Sequence, residues 1–189
     1  QPSELRAGTI HKISAGEVSE TKKLQFTFWE QVRASLAATG SIPSLQSPKP
    51  RYWYDVALGR SGFYLSCFAD TWGKRVGVRV ILHGSYGGAQ AIKLLIEQKA
   101  AIEKALGFSL QWDPYPEKKI RTIVVDRTAN LEQSGKWPEY IAWLTEKVLK
   151  MRKVFGPRVK ALQVEAVPDD DDENGGKPED LPPVVQKPK

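Results

Sequence analysis

The sequence is short of the residues that hold metals and form crosslinks: 189 residues contain one Cys, two His and one Met. A lone cysteine excludes a disulfide-stapled scaffold and any multi-cysteine zinc site, so the fold must rest on packing, in a reducing compartment. His11 and His83 have neither a second histidine nor a carboxylate at ligand spacing, and no metal or cofactor is expected from them. No run approaches the roughly 20 apolar residues that cross a bilayer, and Gln1 to Lys12 lacks the apolar centre of a secretory signal. The expectation is a cytoplasmic protein that stays off membranes. There is no internal repeat. Beginning at Gln1 rather than Met, the chain reads as trimmed or as the carboxyl-terminal part of something longer.

What is present is positive charge, unevenly spread. Lys and Arg total 28 against 22 Asp and Glu, a net +6. From Pro168 to Lys189 seven acidic residues face three lysines, which places −4 there and leaves +10 on residues 1–167. That acidic stretch, rich in Pro and Gly and without aromatics, cannot bury enough apolar area to offset ordering entropy, and disorder is expected over 163–189. Residues 1–18, with Gly8, Gly16 and few large apolar side chains, read as an arm or linker. The folded part is then 19–162.

Within it, Ser19 can cap a helix to about Ala38, with Leu24, Phe28, Val32, Ser35 and Leu36 at helical spacing and Gly40 as a stop. Three prolines make Ser41 to Pro50 a loop. Tyr52–Leu58, Phe63–Asp70 and Lys74–His83 form an antiparallel meander through the turns Gly59-Arg60-Ser61-Gly62 and Trp72-Gly73. A helix over Ala89–Leu106 ends at Gly107, short strands follow at Leu110–Trp112 and Lys119–Arg127, and a last helix runs from Trp137 towards Phe155 with Pro138 in its first turn. The order α-β-β-β-α-β-β-α predicts an α+β fold, a mostly antiparallel five-stranded sheet with three helices on one face.

Trp29, the hairpin Tyr52-Trp53-Tyr54 … Gly59-Arg60-Ser61-Gly62-Phe63, the helix Gln98 to Gly107, Trp112, and Trp137-Pro138-Glu139 … Trp143-Leu144 … Phe155-Gly156-Pro157-Arg158-Val159 together resemble the bacterial domain-of-unknown-function 4268 family, over about Thr21 to Leu162. Members occur alone or as the carboxyl-terminal part of longer proteins whose leading domain looks like a restriction-class nuclease. The resemblance implies an accessory role in bacterial DNA handling or defence and supplies no catalytic residues. The family's third strand tends to read aliphatic-Gly-aliphatic-Glu-Leu, whereas Val76-Gly77-Val78-Arg79-Val80 carries Arg79 in place of the acidic residue.

Restriction-type nucleases share this element order and hold Mg²⁺ with an Asp on one hairpin strand and a Glu/Asp-x-Lys on the next. Asp55 and Asp70 are the acidic residues of the first two strands, but the third offers only Arg79 and His83, so the ligand set is incomplete and a divalent metal enters only under this alternative. A basic sheet face is the stronger expectation. Arg75, Arg79 and His83 share one parity of the third strand, and Lys119, Arg121 and Arg127 share one parity of the last. If both parities face the same way, they present cations to phosphates, and Trp53 and Tyr64 add base stacking if they too point that way. Gly84-Ser85-Tyr86-Gly87-Gly88 precedes a helix but lacks the spacing and Lys-Ser/Thr of a phosphate-binding loop. Cys67 fits a core position, and Trp143, off its helix's main stripe, is the expected partner contact. The leading function is a non-catalytic module that binds nucleic acid or a nuclease partner; the alternatives are a divalent-metal-dependent, degenerate nuclease and a protein-interaction or dimerisation domain.

Overall fold

The structure, a computed structural model, describes residues 2–167, with side chains from residue 20 onward. Its elements are helix α1 (Pro2–Ala38), strands β1 (Trp53–Arg60), β2 (Phe63–Asp70) and β3 (Arg75–Leu82), helices α2 (Gly88–Glu97) and α3 (Lys99–Leu106), strands β4 (Gln111–Trp112) and β5 (Arg121–Thr128), and helix α4 (Trp137–Ala161). The five strands form one antiparallel sheet in the order β1-β2-β3-β5-β4. This is the α+β architecture that the sequence predicts, with four helices rather than three.

Alternation along the strands builds the core. Tyr54 and Val56 of β1 lie across from Cys67 and Leu65 of β2, which lie across from Val78 and Val80 of β3, which meet Val125 and Ile123 of β5. All are buried and point to the helix side. Helix α4 packs against β1, β2 and β3, α2 packs against β3 and β5, and α1 lies beside α4. The α1–α4 seam is aromatic and polar. Phe28 and Trp137 meet edge to face at 5.2 Å, and Ser35 Oγ lies 2.7 Å from Thr145 Oγ1. Trp29, fully buried, donates from Nε1 to the carbonyl of Arg51 at 2.8 Å and stacks near Tyr54.

Three boundaries differ from the sequence reading. Helix α1 begins at Pro2, not at Ser19, so the backbone of the expected arm is helical. Pro2 sits where a missing N–H costs nothing, and no further proline occurs before Pro43. The expected helix Ala89–Leu106 is divided at Gln98, whose φ of −97° and ψ of 7° end α2 and start α3. No proline or glycine announces that break. The last helix continues six residues past Phe155, through Pro157, because Phe155 and Val159 are both fully buried on its inner face and packing overrides the proline's lost bond. Residues 163–167 stay on the domain, with the Val167 N–H donating to the Ser85 carbonyl at 3.0 Å. The acidic stretch from Pro168, expected to be disordered, lies outside the described residues.

The β1–β2 connection follows its glycines. Gly59 and Gly62 take φ of 93° and 82°, left-handed backbone that other residues rarely adopt, and the register shifts between Ala57 and Arg60. Cys67 is a core residue at 0% exposure, and burial pushes its thiol pKa up. A thiol-specific chromogenic reagent should therefore leave the native protein unlabelled over hours and react with one equivalent once denaturant is added; rapid labelling of the native state would refute the packing.

Candidate functional site

The strand register divides the predicted basic face. Arg75 and Arg79 lie across from Asp70 and Ser66, on the face away from the helices, whereas Arg121 and Arg127 lie across from Leu82 and Val76, whose side chains point to the helix side. The two parities do not combine. The guanidiniums are also already engaged. Arg75 donates from Nε and Nη2 to both oxygens of Asp126 at 3.0 Å each, Arg121 pairs with Asp113 at 3.3 Å and donates to the Pro116 carbonyl, and Arg127 pairs with Glu139 of α4 at 3.1 Å. Arg79 is 2% exposed and its guanidinium lies over the Phe68 and Tyr52 rings. His83 is half-buried, and desolvation lowers its pKa, which disfavours a cation there. Lys119 lies before β5, in the loop that follows Tyr115. The face itself is partly closed: Ile81 and Ile120 form a second small apolar cluster with Tyr64 and Tyr115.

Asp55 and Asp70 do not converge either. Asp55 lies across from Ser66, and Asp70 is four residues further along β2, roughly 13 Å away at strand rise. Asp70 accepts the Gly73 N–H at 2.9 Å and organises the β2–β3 turn. Among the described residues no group of three His, Cys, Asp or Glu side chains comes together.

Positive charge that is not matched by carboxylates gathers instead along β1, an edge strand. Arg33 of α1 donates to the Gln46 carbonyl at 3.1 Å. Arg152 of α4 donates to the carbonyls of Ala57 at 3.1 Å and Ser41 at 3.2 Å. Arg60 donates to the carbonyls of Val159, Leu162 and Val164, tying the end of α4 to the β1–β2 turn. Each bond uses a neutral carbonyl, so the positive charge stays uncompensated; among the described residues no ion pair joins these three arginines to a carboxylate. The Lys160 stem passes over Gly59, where an added Cβ would come within 2.4 Å of Cε.

Beside β1 lies a cleft of about 330 Å³ lined by Ser44, Gln46, Asp55, Val56, Ala57 and Tyr64, and Arg33 and Arg152 reach its wall through the Gln46 and Ala57 carbonyls. Trp53 and Tyr64, expected to share a face, do: they lie on the helix-free side, with Arg51 4.3 Å above the Trp53 ring. Asp55 is the cleft's one carboxylate. Burial raises its pKa, while the Ser66 hydroxyl, Arg51 and Arg79 pull it back. Its Oδ1 is buried without a hydrogen-bond partner, and Oδ2 lies 3.9 Å from Arg51.

The raised pKa has a definite sign. Folding favours protonated Asp55, so its contribution to stability is complete below the unfolded value near 3.8 and is lost as pH rises through the higher folded value. Asp55→Asn, neutral at every pH, should match or exceed wild-type stability at pH 7 and lack that loss between 3.8 and the raised value. Urea midpoints measured across that window check this, and a variant that is less stable only at neutral pH would refute it.

Aromatic exposure also differs from expectation. Trp143 is half-buried against the core with Lys147 5.5 Å from its ring, because the α3–α4 packing widens the buried side of α4. Among the described tryptophans Trp72 is the exposed one, at 96%, on the β2–β3 turn that Asp70 holds. In the sequence, the Asp-Thr-Trp-Gly turn placed Trp72 at a hairpin tip, where neither sheet face can cover it.

No curated protein and no solved structure matches the chain. A family model described as Domain of unknown function (DUF4268) matches residues 24–159, from the buried face of α1 through all five strands and the β1 cleft to the end of α4. That span exceeds half the chain, and the protein belongs to the DUF4268 family.

Proposed function

We propose that this chain is a non-catalytic module that binds nucleic acid along the β1 edge, as the accessory part of a bacterial restriction or defence nuclease. The observation that carries the reading is the carbonyl-bonded set Arg33, Arg60 and Arg152, held in place yet with charge unmatched, beside Lys160. Guanidiniums fixed by neutral acceptors lose little further entropy on meeting phosphates, and each contact releases a counterion. Asp55 and Asp70 lie apart, which supports binding rather than metal-dependent cleavage.

Fluorescence anisotropy of a labelled 20-nucleotide single strand tests it. About four phosphate contacts predict a slope of log Kobs against log salt near −3, and Lys160→Gln should flatten it by about 0.7. Binding that does not respond to salt would sink the proposal, and so would Mg²⁺-dependent nicking abolished by Asp55→Ala.

A second reading, protein interaction, rests on Trp72 alone. An exposed tryptophan is a common binding anchor. If copies associate through it, Trp72→Ala should abolish concentration-dependent growth in light-scattering mass while changing stability by less than about 0.5 kcal/mol.

A further inference from the structure

We infer that the β1 cleft takes one unpaired nucleobase and that Asp55 reads it, favouring bases whose edge donates hydrogen bonds from an exocyclic amine, cytosine above all. The inference rests on the nucleic-acid reading and deepens it, since it assigns the site its selectivity. Three observations converge.

Asp55 is the one carboxylate of a cleft that Arg33, Arg51 and Arg152 border. For phosphate binding alone Asp55 is counterproductive, because it opposes the field that Arg33, Arg51 and Arg152 create. A carboxylate has only acceptors, and the cytosine amino group is the donor that such a side chain pairs with in base readout. Thymine and uracil present a carbonyl at that place and would set oxygen against oxygen.

The carboxylate is held but not satisfied. Oδ1 has no hydrogen-bond partner, Oδ2 is 3.9 Å from Arg51, and 28% of the side chain remains exposed in the cleft wall. Oδ1 is buried, so a donor arriving from the cleft meets Oδ2, whose cation partner stands back at 3.9 Å. A half-buried carboxylate with acceptor capacity to spare discriminates more sharply than an exposed one, because the wrong base leaves it desolvated and unpaired.

The surroundings suit a planar ring. Tyr64 lines the cleft and Trp53 lies on the same sheet face, two residues from Asp55 along β1. About 330 Å³ is small for a duplex and lies at the lower end of small-ligand cavities, so only a base outside a helical stack fits it. The outer edge of β1 and the arginines around it would then hold the flanking phosphates, as in single-strand binders that join stacking to a basic groove.

The experiment compares labelled 20-mers of dC and dT, equal in length and phosphate number, on the full chain at fixed salt. Wild type should bind dC roughly tenfold more tightly than dT. Asp55→Asn should bring the two affinities together while retaining dT binding, which also shows that the variant is folded. Tyr64→Ala should weaken both and preserve the preference. Equal wild-type affinity for dC and dT overturns this inference and leaves the polyanion reading standing, as does a preference that persists in Asp55→Asn. If neither strand binds, both readings fail together.

Discussion

Trp29→Ala should cost about 4 kcal/mol of folding stability and lower the thermal midpoint by roughly 10 °C or more, the largest effect expected of any single truncation here. Trp29 is at 0% exposure, with Phe28 5.2 Å away and Tyr54 stacked at 6.0 Å. Its indole N–H also holds the Arg51 carbonyl at 2.8 Å, at the point where the proline-rich loop enters β1. Truncation removes the ring and leaves that carbonyl unpaired, so two penalties act at one place. Trp29→Phe separates them, since it keeps most of the apolar volume and loses only the donor. Differential scanning calorimetry should place it between wild type and alanine. A midpoint for alanine within a few degrees of wild type would mean that α1 does not seat as described.

The second large effect comes from adding one carbon. Gly77→Ala should destabilise by about 3 kcal/mol, because the new Cβ has nowhere to go. It would lie 2.4 Å from Phe68 Cζ and 2.6 Å from the Val125 carbonyl oxygen. Phe68 is the cross-strand partner of Gly77, fully buried, and its ring lies on the bare backbone that glycine leaves. Arg79 lies 5.4 Å above the same ring, so a displaced Phe68 also disturbs the charge beside Asp55. Phe68→Leu in the Gly77→Ala background should restore part of the loss, and a double-mutant cycle in urea measures that coupling. The recovery stays partial because the Val125 carbonyl is backbone. Additive effects would show that the ring and the glycine do not share this space.

The sheet was legible because its information is local. The alternation of Val76, Val78 and Val80 fixes which face of β3 is buried, and Gly59 with Gly62 fixes where the first hairpin turns. Facts that depend on pairing between distant segments were not legible. Parity within β5 is visible in the sequence, but which parity joins Arg75 and Arg79 depends on the β3–β5 register, set across a connection that contains α2, α3 and β4. The arginines of the proposed β1 site escape the sequence for the same reason. Arg33, Arg60 and Arg152 come from three elements, and nothing local shows that their partners are carbonyls rather than carboxylates. Residue type alone suggests a metal ligand at Asp55, whereas its place in the cleft wall, with Arg51 at 3.9 Å, depends on how the loop before β1 folds back.

The seating of α1 against α4 bears on how the protein is made. Ser35 and Thr145 are 110 residues apart, and Phe28 waits for Trp137. At translation rates of roughly 5–20 residues per second, a ribosome finishes α1 on the order of ten seconds before α4 can reach it. During that interval the Phe28–Trp29–Val32–Leu36 stripe and the helix side of the young sheet have no α4 to cover them. Messages truncated before Trp137 should therefore yield insoluble product rather than a smaller folded domain.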